Sequence, residues 1–374
     1  MKQALHFSGL NGLRAIAALA VVFSHTTMAL PSFGLNQYIF GRYPDGNAKT
    51  TLLGGFGVSV FFSLSGFLIT YLLLEEKKRQ EINIKNFYMR RILRIWPLYY
   101  LYLFLTILTL FLFDLPFEKS KVLFYIFLTA NIPFIFGKAI NYLGHYWSLG
   151  VEEQFYSFWP WLVKKSKSIL KTTIFICITL ILLKCALRFH DIYTNHGKAS
   201  WPYEMLHVTR FHCMLIGAIG AILYFQKNAL FLKITNHVFA QLISWLIILL
   251  VIINKFHLIS FLDNEFISVV TVFIIIGQIQ KTNRILNLEL AFFNFIGKIS
   301  YGIYILHPLI IFYISQVLQY SDQTDISGYL LVYTSVFIAT IVLAYIIYTF
   351  FEKKFLSLKE KKYSAVPSSL EDKS

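Results

Sequence analysis

Long apolar runs alternate with short polar ones along nearly the whole chain, and that alternation dictates the elements. The first run covers residues 10–30 and contains NGLRAIAALAVVFSH, an apolar stretch interrupted by Arg14 near its start and His25 near its end. A loop rich in Gly, Pro and Asn follows, and then residues 50–74 carry no charge at all, enough to cross a bilayer as a helix. Further spans are expected at 92–113, 146–163, 169–188, 205–225, 237–253, 266–279, 293–314 and 330–351. Pro97 falls near the start of its span, in an early turn where a missing N–H matters least.

Residues 122–136 are apolar but short for a crossing. A crossing there would carry the cluster Lys164, Lys165, Lys167 and Lys171 to the side opposite the other basic loops, so the segment is read as re-entrant or interfacial. The pattern therefore predicts an all-α, polytopic integral membrane helix bundle with about ten transmembrane helices plus that short segment. The transmembrane unit covers 1–352, and 353–374 forms a short tail, disordered beyond its first turns.

Composition agrees. The chain is 57% hydrophobic and only 14% charged, with a mean hydropathy of +0.61, which excludes a soluble protein of this length. The net charge of +15 does not point to nucleic acid, because the basic residues lie in short clusters between apolar runs. The densest early cluster holds Lys77, Lys78, Arg79, Lys85, Arg90, Arg91 and Arg94; the positive-inside rule makes it cytoplasmic, and both termini with it. Cys177, Cys185 and Cys213 sit in apolar runs with no metal-ligand spacing, so neither zinc nor disulfides are expected. The first run is read as a retained span and not a cleaved signal, since Arg14 falls late and many further spans follow.

A charge in hydrocarbon costs several kcal/mol unless it faces protein or water, so polar groups inside the spans mark candidate chemistry. On a helix, Arg14 and His25 return to nearly one face, roughly 16 Å apart along the axis. Glu152 and Glu153 are adjacent carboxylates opening an aromatic helix, either lining an interior or favouring the helix dipole. Arg90, Arg91 and Arg94 serve either as topology determinants or, at helical spacing, as ligands for the phosphates of a coenzyme. Ser63, Ser65 and Gly66 form a small polar patch that suits close helix packing or a ligand. His307 precedes Pro308 at an expected kink, where a structural hydrogen bond is its simplest role, and His145 is a possible partner for the glutamates.

The chain resembles the membrane-bound acyltransferase-3 family, integral membrane enzymes that O-acylate sugars of cell-surface glycans and related acceptors. The resemblance is carried by NGLRAIAALAVVFSH, by GVSVFFSLSGFLIT at 57–70, by FYMRRILRIWPLYY at 87–100, by HYWSLGVEEQFYSFWP at 145–160 and by GKISYGIYILHP at 297–308. It implies an O-acyltransferase of a bacterial inner membrane, with His25 as catalytic base paired with Arg14. It further implies that Arg91 and Arg94 hold the acyl-coenzyme A donor, with acetyl-CoA the default, and that Glu152 and Glu153 belong to the catalytic set. No tightly bound cofactor or metal is implied, and the short tail suggests a stand-alone form.

Chemistry matches: imidazole has a reference pKa near 6.5 and suits deprotonation of a sugar hydroxyl that attacks a thioester. Glu152 or Glu153 then orients His25 or binds the sugar, and Arg14, Ser65 or a backbone N–H near Gly66 donates to the oxyanion. Arg90 and Ser65 complete the expected donor-side set. Membrane lipids, the acyl donor and a sugar acceptor are the expected partners. Two other readings fit the same pattern: a glycan or lipid transporter without covalent chemistry, and a membrane scaffold.

Overall fold

The computed structural model describes residues 7–43 and 46–363. Among them the regular elements are helical, and the β-contact is an isolated bridge between Arg42 and Ala48. In chain order they begin with α1 (Leu10–Ala29), α2 (Thr51–Arg79) and α3 (Ile84–Leu112), followed by the five-residue α4 (Val122–Ile126) and α5 (Asn131–Ile135). Then come α6 (Tyr146–Lys165), α7 (Ile169–Thr194), α8 (Trp201–Thr209), α9 (Phe211–Phe225), α10 (Ala229–Thr235) and α11 (Val238–Ile252). The last are α12 (Asp263–Gln280), α13 (Ala291–Lys298), α14 (Ser300–Ser315), α15 (Ile326–Ile347) and α16 (Lys353–Tyr363).

Helix α2, uncharged as far as Leu74, is the hub, packing on α1, α6, α9 and α12, with 72% of its most apolar window buried. By contrast α7 and α15 bury 17% and 22% and present leucine, isoleucine and phenylalanine outward, as lipid-facing helices do. The hub is held by missing side chains. A Cβ on Gly66 of α2 would collide with the Met214 carbonyl oxygen of α9, and one on Gly217 of α9 with the Ser63 carbonyl oxygen, so the two backbones touch. Small residues permit such contact where water supplies no driving force.

Ten spans do not survive. Six helical segments among the described residues are long and apolar enough to cross a membrane, or eight spans if α10–α11 and α13–α14, bent by 54° and 65°, each count as one. The helices expected at 146–163 and 266–279 exist, as α6 and α12, but fall short in apolarity because they carry Ser148, Glu152, Glu153 and Gln154, and Asp263, Asn264, Glu265 and Gln278 respectively. Their polar side chains turn into the bundle. The segment at 122–136 is two helices too short to cross.

Three local expectations also change. The basic cluster is not a loop: α2 continues to Arg79, and α3 starts at Ile84 with the Asn83 side chain accepting from the Asn86 N–H as an N-cap. Each of these helices has 29 residues, about 43 Å, and overshoots a 30 Å hydrocarbon core. Pro97 consequently lies well inside α3 instead of in its first turns. The tail continues the chain as α16, which packs on α3; residues 364–374 lie outside the described residues.

Both early basic clusters share one end of the bundle. Lys77 Nζ donates to the carbonyls of Val163, Lys164 and Ser166, and Lys164 Nζ meets Glu81 at 2.7 Å, holding that exposed carboxyl below its ordinary range. The α2–α9 contact yields a stability prediction. Gly66→Leu must push the helices apart, so we expect a loss of about 1–3 kcal/mol, read as a lower thermal midpoint in detergent; an unchanged midpoint would refute the contact.

Candidate active site

Because α1 runs beside α2 and α14, its polar residues open into the interior, and each opens into its own cavity. Arg14 lines a cavity of about 330 Å³ with Ser65 of α2, Arg91 and Arg94 of α3, and Glu152 and Tyr156 of α6. His25 lines a second, of about 1360 Å³, with His145, Trp147 and Arg210. Val58 and Tyr304 border both. The Tyr304 hydroxyl donates to the His145 carbonyl at 3.0 Å and meets Ser148 Oγ at 2.5 Å, so the partition between the cavities is pinned to the start of α6.

The arginine cavity is strongly cationic. Glu152 Oε1 accepts from Ser65 Oγ at 2.6 Å, and Arg14 Nη1 donates to Asn11 Oδ1 at 2.9 Å. Three guanidinium groups thus face one carboxylate, and Arg91 Nε is buried without a hydrogen-bond partner. Buried cations in excess are costly until an anion arrives, and a planar guanidinium suits phosphate oxygens.

Several expected residues stand elsewhere. Arg90 does not line the cavity: its Nη2 pairs with Glu76 at 2.8 Å and its Nη1 reaches the Tyr363 carbonyl, tying α3 to α2 and α16. Glu153, one position from Glu152, lines neither cavity, and its Oε1 is buried without a partner. Neither glutamate is the hydrogen-bonded partner of His25. Gly66 serves the α2–α9 contact and lines no cavity. His145 sits among Tyr102, Tyr304 and His307 rather than beside the glutamates.

What orients His25 is His307. Its Nδ1 lies 3.2 Å from the Ile303 carbonyl, and a carbonyl only accepts, so the proton is on Nδ1 and Nε2 bears a lone pair. His25 Nδ1, 2.8 Å from that Nε2, must then be the donor. This leaves the lone pair of His25 on Nε2, the arrangement a general base requires. The structural hydrogen bond expected of His307 is present, to the Ile303 carbonyl inside the continuous helix α14, and its other nitrogen performs a second task. His145 Nε2 donates to the Ile305 carbonyl at 3.2 Å, so its lone pair is on Nδ1, buried without a partner.

Sequence reasoning passed over Tyr304, Ser148 and Arg210. Tyr304 and Ser148 carry no signal in a chain with 23 Tyr. Arg210 carries one: it is an arginine inside an expected span. We predict that selectively ¹⁵N-labelled histidine NMR finds His25 and His307 as Nδ1–H tautomers and His145 as the Nε2–H tautomer; an Nε2–H on His25 would break the relay.

Comparison with known proteins adds the lineage. The chain is 28% identical over 390 residues to the O-acetyltransferase OatA of Staphylococcus aureus strain NCTC 8325, an alignment covering 97% of this chain and 59% of OatA. It is 30% identical over 385 residues to a Staphylococcus aureus strain COL chain provisionally named as an O-acetyltransferase, covering 95% of this chain and 58% of that one. It therefore spans less than two thirds of the length of these relatives. No solved structure matches. Residues 7–349 match the model of the acyltransferase domain family, and the chain is an integral membrane member of that family.

Proposed function

We propose that the chain transfers an acyl group, acetyl first among them, from acyl-coenzyme A to a hydroxyl of a sugar in a cell-surface polysaccharide, lipopolysaccharide or related glycan. One observation carries the reading: a cavity rich in arginine and a cavity holding an oriented imidazole adjoin at Val58 and Tyr304. The first suits the phosphates of the donor, the second the acceptor. The likeness to proteins named O-acetyltransferases supports acetyl as the group transferred.

In this account Arg14, Arg91 and Arg94 hold the donor phosphates, Ser65 and Glu152 set the polar wall between them, and the acyl arm passes Tyr304. His25 Nε2 takes the proton of the sugar hydroxyl as its oxygen attacks the thioester carbonyl. The tetrahedral intermediate collapses with loss of the thiolate, which recovers the proton from His25, so no net proton is consumed. His307 keeps Nε2 of His25 free throughout. Arg14 and Ser65 face the donor side; the Tyr304 hydroxyl, at the junction, serves the oxyanion only by turning its proton away from the His145 carbonyl.

Orientation follows the same logic. The arginine cavity opens near the basic ends of α2 and α3, and the positive-inside rule assigns that end to the cytosol of a bacterium. Arg14 and α16 belong to it, so both termini are placed inside, with the transmembrane unit at 1–352 and the tail at 353–374 following it. Donor and acceptor then enter from opposite faces.

Purified protein in lipid nanodiscs with acetyl-CoA and a glycan tests this. His25→Ala should lower kcat by about 10²–10⁴ while leaving thermal stability near wild type. Arg91→Ala with Arg94→Ala should raise the donor KM about tenfold or more with a smaller effect on kcat, since each charged phosphate contact is worth about 1.5–3 kcal/mol. Transfer undiminished in folded His25→Ala, or movement of glycan without a covalent product, would reject the enzyme reading.

A further inference from the structure

Arg210 is the single residue between α8 and α9, in a left-handed conformation with φ 44°. The residue is 9% exposed, and its guanidinium is held on three sides. Nε donates to the His207 carbonyl at 3.2 Å, and Nη1 donates to the Gly55 carbonyl at 2.9 Å and to Ser59 Oγ at 3.1 Å. Trp147 lies beneath it, its ring centroid 5.3 Å from the guanidinium carbon. Among the described residues Nη2 has no hydrogen bond and the side chain has no carboxylate in ion-pair range. Nearby Glu265 meets Lys184 at 2.6 Å and His212 at 2.9 Å, both through Oε1, and its Oε2 is buried without a hydrogen bond to Arg210.

A buried, fixed charge without a counter-ion is expensive, and the strained backbone that presents it is an added cost. The free nitrogen has room before it. A Cβ on Gly55 would meet only Arg210 Nη2, at 3.9 Å, with nothing else within 4 Å, so that side of α2 is open at this point of the histidine cavity. The same cavity is bordered by Lys49 and Lys255, again without carboxylate partners among the described residues. Its acidic lining residue, Asp263, is spent: one oxygen meets His257 Nδ1 at 2.8 Å and the other accepts from the Leu258 and Ile259 N–H groups.

We propose that Arg210 is the anchor of an anion subsite in the histidine cavity, and that the acceptor is an acidic glycan whose carboxylate or phosphate docks on Nη2. The proposal rests on the reading that this cavity receives the acceptor. Lys49 and Lys255 draw the polyanion to the mouth, and Arg210 fixes one acidic group deeper in, so that a hydroxyl along the same chain is presented to His25. Neutral glycans leave the guanidinium uncompensated and are selected against.

Calorimetric binding to the full chain in nanodiscs, without donor, tests the subsite apart from catalysis. The probes are a neutral N-acetylhexosamine oligosaccharide, a uronic-acid oligosaccharide of equal length and a glycerol-phosphate oligomer. We expect the wild type to bind at least one acidic probe about tenfold or more tighter than the neutral one, as one charged hydrogen bond is worth about 1.5–3 kcal/mol. The tighter acidic probe identifies the anion as carboxylate or phosphate. Arg210→Gln should abolish the preference and Arg210→Lys should retain part of it. Gly55→Leu, which fills the space before Nη2 while keeping the residue-55 carbonyl that Nη1 bonds, should abolish it too. Equal binding of neutral and acidic probes by wild type, or a preference that persists in folded Arg210→Gln and Gly55→Leu, would overturn the proposal. Acidic probes that bind selectively but are never acylated when acetyl-CoA is added would uphold the subsite and overturn the acyl-transfer reading instead.

Discussion

Placing an arginine and a histidine on one membrane helix forces a polar interior around them. Arg14 and His25 are eleven residues apart on α1, and each needs protein or water beside it in place of lipid. The fold answers with two separate cavities, stacked along α1 and divided at Val58 and Tyr304. Much of the remaining architecture follows from walling them in. The polar sides of α6 and α12 face inward, at the cost of the apolarity that would make either a simple span. The backbone contact of α2 with α9, through Gly66 and Gly217, brings Arg210 and Ser65 to the two cavities from one pair of helices.

Orientation of the imidazole is achieved without a carboxylate. In the chain from the Ile303 carbonyl through His307 to His25, direction is set at the far end by a backbone oxygen that can only accept. A carboxylate in this position would add a full buried charge, whereas a neutral histidine fixes the same tautomer without one. Of the two carboxylates expected to orient His25 or bind the sugar, Glu152 faces three arginines and bonds Ser65, and Glu153 lines neither cavity. The separation is therefore spatial: fixed charge lines the arginine cavity, and imidazoles line the other.

Much of this was legible in the sequence, and what was not has physical reasons. The uncharged run at 50–74 announces a membrane helix but not the hub, since α15 is equally free of charge and faces outward. Arg14 and His25 stand out against apolar neighbours, and Arg91 with Arg94 announces the basic wall of the cavity they share with Arg14. Helical spacing alone could not tell Arg90 from its neighbours, since which face of α3 meets the bundle depends on α2, and Glu76 there captures Arg90. The span count overshot at α6 and α12, whose polar side chains leave both helices short of the apolarity a simple span needs. The His25–His307 bond joins residues 282 apart, which no local pattern encodes. The helix α16 was missed because its charged sequence gains structure only by packing on α3.

The central proposal is that the donor's acyl arm crosses the partition at Val58 and Tyr304 to reach His25. An experimental structure with a non-hydrolysable acyl-coenzyme A analogue tests it directly. The account predicts the phosphates between Arg14, Arg91 and Arg94, the pantetheine arm running between Val58 and Tyr304, and the acyl carbonyl within reach of an acceptor held beside His25 Nε2. Phosphates bound in the histidine cavity, or an acyl arm that stops short of an unmoved Tyr304, would contradict it.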